Sequence, residues 1–575
     1  MLMAKIISEK GAVYDVSKDL TVERNPAGPW CLGALIPKSS SSEWEFNAYN
    51  SGQIYGQDDS DSIGSISNPG SLVWENVLED RHPYQRTPHT ASIIHTLRTL
   101  GNPVRPYFMS EYGVGSAVDL VRVIRHYEQL GKQKALDAMA YQARLDLFER
   151  DWQQWHMEDL FGTPEFYFKQ SLAKMAAERL LGLNAIRSNP NIIGYSMSST
   201  VDQGLSAEGV FTTFRELKPG AVDALADGWS PLRWCLFAEP VHLYSGNTIH
   251  MEAVMANEDI LKPGMEYPAR FKIIDPRGHT VWEKQIRFIA PLKGDIGNQP
   301  PLSFPVLDER VKIEGPTGPY RFLAALEQGG AAAGEDIKFY VMNHEDMPAV
   351  KSEVVLWGED PALEDWLKKA GISVRSFDPT VNDKRQLILV SANPLSPGGL
   401  EVYENLIRRI ACGSVAVFLN PNVFHKSDEE PFGWVPLRRK GQAAGLHCWL
   451  YLKDEWAKDH PVFQGLPIGL MDYTYYREII PDIAWQNIEP PAEVVVGAVQ
   501  TTLGYQSGLM LAVYQLGKGK FILNTLRIME NLGTDPVAER LLRNILNYAA
   551  TDLQKPLSNL PDDFQKQLQV IGYRE

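Results

Sequence analysis

The sequence predicts a multidomain chain that mixes α/β and all-β units. A parallel sheet or a (β/α) barrel of TIM type comes first, then an immunoglobulin-like β-sandwich, then a doubly wound α/β domain. Three observations predict this. At 575 residues there is room for roughly two to four domains. Strand-length apolar segments alternate with helix-period segments before about residue 200 and again after about residue 350. Between them, short alternating strands follow one another with Gly, Pro and Asp in the turns.

Residues 1–40 read as an amino-terminal extension without strong periodicity, running into the serine linker "PKSSSSE". Residues 41–230 form this first β/α unit, which the resemblance given below implies is a partial barrel. "EWEFNAYNSG" is its first strand, and "NVLEDRHPY" precedes the helical "TASIIHTLRTLG". "RPYFMSEYG" precedes a long helical region, and "NIIGYSM" closes the series. Residues 231–349 are the sandwich, with strands such as "RWCLFAE", "YPARFKIID" and "TVWEKQIRF". Residues 350–552 return to β/α rhythm through "EVVLWG", "QLILVS", "VAVFLN" and "KFILNT". These continuous apolar runs suit a parallel sheet covered on both faces, in a unit able to fold separately. Residues 553–575 read as a polar tail.

The composition is that of a globular protein, 44% hydrophobic and 22% charged, with a net charge of −15. A chain that tracks phosphates carries a basic excess, so neither nucleic acid nor an anionic membrane is an expected partner. The four cysteines (Cys31, Cys235, Cys412, Cys448) make no CxxC pair, and no HExxH occurs, so no metal and no cofactor is expected. The opening "MLMAKIISEK" reaches Glu9 and Lys10 before an apolar core of signal-peptide length. No apolar run is long enough to span a bilayer. The expected location is cytoplasmic.

One segment raises a chemical question. In "PYFMSEYGVG", Tyr107, Met109 and Glu111 share a face if the strand alternates regularly. A carboxylate at the end of such a face is costly to bury unless it is paired or used.

The order of "DRHPY" (Asp80–Tyr84), "SEYG" (Ser110–Gly113), "NPNIIGYSM" (Asn189–Met197) and "EGVFTTFRELKPG" (Glu208–Gly220), ahead of a sandwich, resembles the carboxyl-terminal part of family 2 glycoside hydrolases. That family includes β-galactosidases, β-glucuronidases and β-mannosidases. The likeness runs from about residue 41 to 345 and implies strands five to eight of a barrel, with Glu111 at the nucleophile position. The last domain resembles flavodoxin-like or glutamine-amidotransferase-like modules, but its turn "VSANPLSPGGLEV" carries no nucleophilic Cys, which points to a structural or interface role.

Retaining glycosidases need two carboxyl groups about 5–5.5 Å apart. The resemblance therefore implies catalysis by Glu111, with His82, Tyr84, Tyr112 and Asn50 lining a pocket for a β-linked glycoside or oligosaccharide. Asp80, His82 and Tyr84 share a face of their strand, and a purely structural hydrogen-bonded network fits them equally well. The departures are large. No "NE" dipeptide precedes Glu111, so the usual acid/base and the first half of the barrel are missing. Glu43 and Glu45 stand at the wrong end of their strand to replace it. Trp152, Trp155 and His156 suit a sugar-facing rim or, as readily, a helix packed into a core. Two functions follow: a retaining glycosidase completed by an amino-terminal polypeptide or a homo-oligomer, or a non-catalytic carbohydrate-binding or scaffolding relative. The open half-barrel is expected to be covered rather than bare.

Overall fold

The computed structural model describes residues 83–103, 106–202, 207–296, 299–381, 384–391, 399–446 and 453–574. It describes the backbone alone for Lys5–Ile7, Val13–Asp15, Cys31–Pro37, Trp44–Ala48, Ile63–Ser67 and Glu79–Arg81.

Three strands form the sheet that carries Glu111: β1 (Glu79–Arg81), β2 (Tyr107–Tyr112) and β3 (Ile192–Met197), in that spatial order and all parallel. Parallel neighbours need a crossover, and helices supply it. Helix α1 (Ala91–Thr99) joins β1 to β2. Helices α2 (Leu120–Gln129), α3 (Leu136–Gln154) and α4 (Pro164–Arg187) lie between β2 and β3. Local sequence starts them: Asp119 accepts the Arg122 amide at the head of α2, and Thr163 caps α4 with Pro164 as its first residue.

The sheet packs onto α1 and α4 through Ile94, Leu97, Leu172 and Met175. Sandwich residues Cys235, Phe237, Val254 and Ala256 join the same cluster, so the sandwich covers part of this unit. The segment expected as a further barrel strand behaves otherwise. Trp44–Ala48 pairs antiparallel with Cys31–Pro37, which also pairs antiparallel with Ile63–Ser67. Alternation identifies a strand but is silent about its partner, which is set by non-local pairing.

The sandwich faces a five-stranded sheet against a three-stranded one. In Glu266–Ile274 the buried residues Tyr267, Ala269, Phe271 and Ile273 alternate with half-buried or exposed ones. Trp234 from the opposite sheet is fully buried, its ring 5.3 Å from that of Phe271.

In the last domain, parallel strands run in the order Val374–Ser376, Val354–Trp357, Leu387–Val390, Val415–Phe418, Gly519–Asn524. The second strand in sequence lies outside the first, the hallmark of double winding. The sheet then continues antiparallel through Gln506–Leu516, Glu493–Gln500 and Asp454–Ala457. No helix among the described residues is long and apolar enough to cross a membrane.

This domain shares its core with the helices behind β2. Phe148, Trp152 and Trp155 join Trp357, Ile388, Phe418 and Trp456 in one cluster, and the Trp155 and Trp456 rings lie 5.7 Å apart. The two tryptophans therefore make an interface rather than a sugar-facing rim, while His156 is exposed beside Glu158 at 3.5 Å. The expected polar tail is also docked. Helix Phe564–Val570 and the residues after it bury Phe564, Leu568, Ile571 and Tyr573 in the same cluster, and Lys440 Nζ donates to the Ile571 carbonyl at 2.8 Å. A piece spanning residues 350–575 is thus expected to expose the apolar face that Trp155 covers. It should bind a hydrophobic dye and self-associate, where the full chain does neither; a monodisperse, dye-free piece would show that the shared core is dispensable.

Candidate active site

Regular alternation along β2 would keep Glu111 with Tyr107 and Met109. The observed register is irregular: Met109 pairs with Tyr195 but Tyr112 with Met197, so β2 uses one residue more than β3 over the same stretch. Tyr107, Met109 and Tyr112 are all fully buried in one cluster, and Glu111 is left out of it, half-buried. A bulge of this kind re-aims a side chain at a strand end. It corrects the shared-face expectation and explains how a carboxylate follows an apolar strand.

Glu111 accepts a hydrogen bond at Oε2 from the Tyr84 hydroxyl at 2.7 Å. The same phenol oxygen is hydrogen-bonded to Ser198 Oγ, just past the end of β3. Tyr84 therefore bridges the ends of β2 and β3. Burial raises its phenol pKa, the Ser198 bond works against that, and the Glu208 and Glu111 charges add to it, so the group is a neutral donor.

Glu208 is a buried carboxyl group. It lies in the segment after β3 and is 1% exposed. A Cβ at residue 113 would stand 1.7 Å from Glu208 Oε1, so the glycine leaves the space that the carboxyl group occupies. Burial pushes the Glu208 pKa from its ordinary 4.5 up to about 7; Arg179 opposes this and the Glu111 charge adds to it. Oε1 has no hydrogen-bond partner among the described residues.

The segment is stitched down around it. Fully buried Arg179 of α4 donates from Nε to the Val114 carbonyl at 2.9 Å and from Nη2 to the Glu208 carbonyl. Lys218 Nζ reaches Asp202 Oδ1 at 2.7 Å and the Ala207 carbonyl at 2.8 Å. The Ser116 amide donates to the Ala207 carbonyl at 2.9 Å. The last domain adds Thr501, whose Oγ1 accepts the Val118 amide at 2.8 Å.

The other expected pocket residues divide. Tyr112 is fully buried behind the strand, its hydroxyl 3.0 Å from His89 Nε2. It is therefore removed from the pocket: the bulge turns it toward α4, where the absent side chain of Gly182 makes room for its hydroxyl. His89 in turn sits 3.0 Å from Glu178 Oε1, a structural network that steadies the segment following Tyr84. His82, Asn50 and Glu43 lie outside the described residues, as do the side chains of Glu45 and Asp80 and the turn at 392–398. Ser198 and Glu208 were missed in the sequence. A serine in "SMSST" and a glutamate in "AEGV" carry no pattern that marks them as buried partners of a distant strand end.

Among the described residues one trio, His250, Glu252 and Asp308, lies close enough to share an ion. Both Glu252 oxygens already accept from Arg98, at 2.7 and 2.8 Å, so a cation there competes with an ion pair.

No family model and no curated protein matches the chain. Among solved structures it is similar to a β-D-mannosidase from Dictyoglomus thermophilum, at 14% identity over 46% of this chain and 30% of that one, TM-score 0.28. It is also similar to the exo-β-1,4-mannosidase Op5Man5 from Opitutaceae bacterium strain TAV5, at 9% identity over 37% of each chain, TM-score 0.22. A glycosyl hydrolase family 2 member from Bacteroides cellulosilyticus matches at 15% identity over 34% of this chain and 26% of that one, TM-score 0.15. The chain thus spans well under two thirds of each. Likenesses at these scores carry no argument here, and the functional reading rests on the site.

Proposed function

We propose that this chain is a glycoside-hydrolase-related protein of the retaining β-glycosidase type, acting on β-linked sugars with Glu111 as nucleophile. An amino-terminal polypeptide, or a second copy of the chain, completes its barrel. One observation supports this above the rest: a strand-end carboxylate held by a neutral phenol that also ties the end of the neighbouring strand. In the first step a Glu111 oxygen attacks the anomeric carbon, and the bond to the leaving oxygen breaks to give a covalent glycosyl-enzyme. Water then attacks that carbon and restores the carboxylate. Tyr84 orients the attacking oxygen and keeps the other from rotating away.

Incubation of the full chain with dinitrophenyl fluoro-β-glycosides, alone and with the product of the adjacent upstream reading frame, tests the reading. The expected result is a covalent label on Glu111. A label on Glu43, Glu45 or Asp80 would overturn the assignment, and binding of the sugar with no label or turnover would favour a non-catalytic carbohydrate-binding relative. Tyr84→Phe removes a hydrogen bond to a charged group, worth about 1.5–3 kcal/mol. It is expected to slow labelling by about ten- to a hundredfold. An unchanged labelling rate would show that the phenol does not position the nucleophile.

A further inference from the structure

We infer that Ser198 is a positioning residue for Glu111 that acts through Tyr84: its hydroxyl donates to the phenol oxygen, and the phenol donates to the carboxylate. The inference rests on the reading of Glu111 as a glycosidase nucleophile and names the residue that fixes how the phenol is presented to it. Ser198 Oγ, the Tyr84 hydroxyl and Glu111 Oε2 form one hydrogen-bonded chain between the ends of β3 and β2.

Counting hydrogens gives the chain its direction. An ionised carboxylate only accepts, so the single O–H of Tyr84 points at Glu111 Oε2, 2.7 Å away. The phenol oxygen then has only lone pairs to offer Ser198, whose hydroxyl must be the donor in the bond between them. The electrostatics agree: burial raises the Tyr84 phenol pKa, and the Ser198 bond opposes that, as a donor to the phenol oxygen does. A donor on that oxygen polarises the phenol O–H and strengthens the bond it gives to the carboxylate. In the proposed reaction Glu111 loses its charge on becoming an ester, and with it much of its hold on the phenol. Ser198 keeps the phenol in place through that interval, so the carboxylate meets its donor again when water releases the sugar.

The backbone aims the Ser198 hydroxyl. Its amide donates to the Tyr112 carbonyl at 3.0 Å, which fixes the serine to the end of β2 just beyond the bulge. Ser199 follows with a φ of 59°, the left-handed region that a residue with a Cβ seldom adopts. Backbone of this kind persists only where its surroundings hold it, and it gathers at functional sites. The chain therefore turns sharply directly after Ser198, which is left half-buried against the phenol. An extra residue in β2 presents Glu111, a left-handed turn after β3 presents Ser198, and Tyr84 lies between them.

The test uses the full chain, with any partner polypeptide that labelling requires, and reads the rate at which a dinitrophenyl fluoro-β-glycoside labels Glu111. Ser198→Ala is expected to slow labelling about three- to tenfold, the scale of one neutral hydrogen bond. Ser198→Thr keeps the hydroxyl and should stay within about twofold of wild type. In a Tyr84→Phe background, Ser198→Ala should change the rate by less than about twofold, because the serine then has no oxygen to act through. A loss that is the same with and without the Tyr84 hydroxyl, or that threonine does not recover, would overturn the inference while leaving Glu111 as nucleophile. A second readout needs no activity: the nuclear magnetic resonance signal of Tyr84 in a chain isotope-labelled at the tyrosine Cζ, identified by its absence in Tyr84→Phe. That signal should move in Ser198→Ala and in Glu111→Gln. A Tyr84 signal indifferent to Ser198→Ala would overturn the inference whatever the activity. A wild type that is never labelled, with a Tyr84 signal that answers to both substitutions, would remove the glycosidase reading and leave Ser198 as the residue that orders Tyr84 against Glu111.

Discussion

Glu111→Gln is expected to abolish turnover, lowering kcat by about four orders of magnitude or more, the scale seen when an enzyme loses its nucleophile. The amide keeps the size of the side chain and can still accept from the Tyr84 hydroxyl, which donates at 2.7 Å in the native site. What it loses is the negative charge that, in the proposed reaction, forms the bond to the anomeric carbon. Because Glu111 is half-buried and stands outside the cluster of Tyr107, Met109 and Tyr112, the fold does not depend on its charge. The thermal midpoint should therefore stay within a few degrees of wild type. Steady-state rates on dinitrophenyl β-glycosides, read beside that midpoint, separate the two effects. Activity retained within tenfold would take Glu111 out of the reaction.

The largest stability effect is expected far from the site. Lys174 of α4 places its Nζ 2.7 Å from Glu455 Oε2 and 3.8 Å from Asp454 Oδ1, in the strand Asp454–Ala457 of the last domain. Both carboxylates are almost wholly inaccessible, and Lys453 Nζ is 3.1 Å from the other Glu455 oxygen. Burial raises the Asp454 pKa, with Lys174 opposing; for Glu455 the two lysines outweigh burial and hold the carboxyl below its usual range. Lys174→Met leaves negative charge in the interior with half its compensation gone, which costs about 3–5 kcal/mol. Denaturant unfolding followed by tryptophan fluorescence reads this directly, since Trp155 and Trp456 meet at the same junction. Pairing the change with Glu455→Gln should recover a large part of the loss, because the charges are again matched. A Lys174→Met chain as stable as wild type would mean that the junction tolerates unpaired carboxylates.

How much of this was legible in the sequence depends on the range of the interaction involved. "VVLW", "LILV" and "VAVF" are read directly as core strands because each is buried on both faces, a property carried by the residues themselves. Glu111 stands out for the same reason: a charge directly after an apolar strand is conspicuous. Trp152 and Trp155 were ambiguous, since helical spacing shows that they share a face and says nothing about what covers it. The strand in "EWEFNAYNSG" was recognised and its partner was not, because pairing with Cys31–Pro37 depends on a register that no local pattern encodes. The docked end of the chain reads as a polar tail in the sequence because its buried residues are few and spaced among polar ones.

The sequence by itself determined the β/α and all-β segments, the doubly wound character of the last domain and the carboxylate at the end of β2. Period and burial are local properties, and local properties survive in a linear string. Only the tertiary structure decided how that carboxylate is placed. A single extra residue in β2 turned Glu111 out of the core and Tyr112 into it. Residues distant along the chain then supplied Tyr84, Ser198 and Glu208, with the last of these filling the space at Gly113. An electrostatic field is the sum over whatever charges and burial the fold brings together, so the raised pKa of Glu208 exists only once burial and the Glu111 charge outweigh the opposing Arg179.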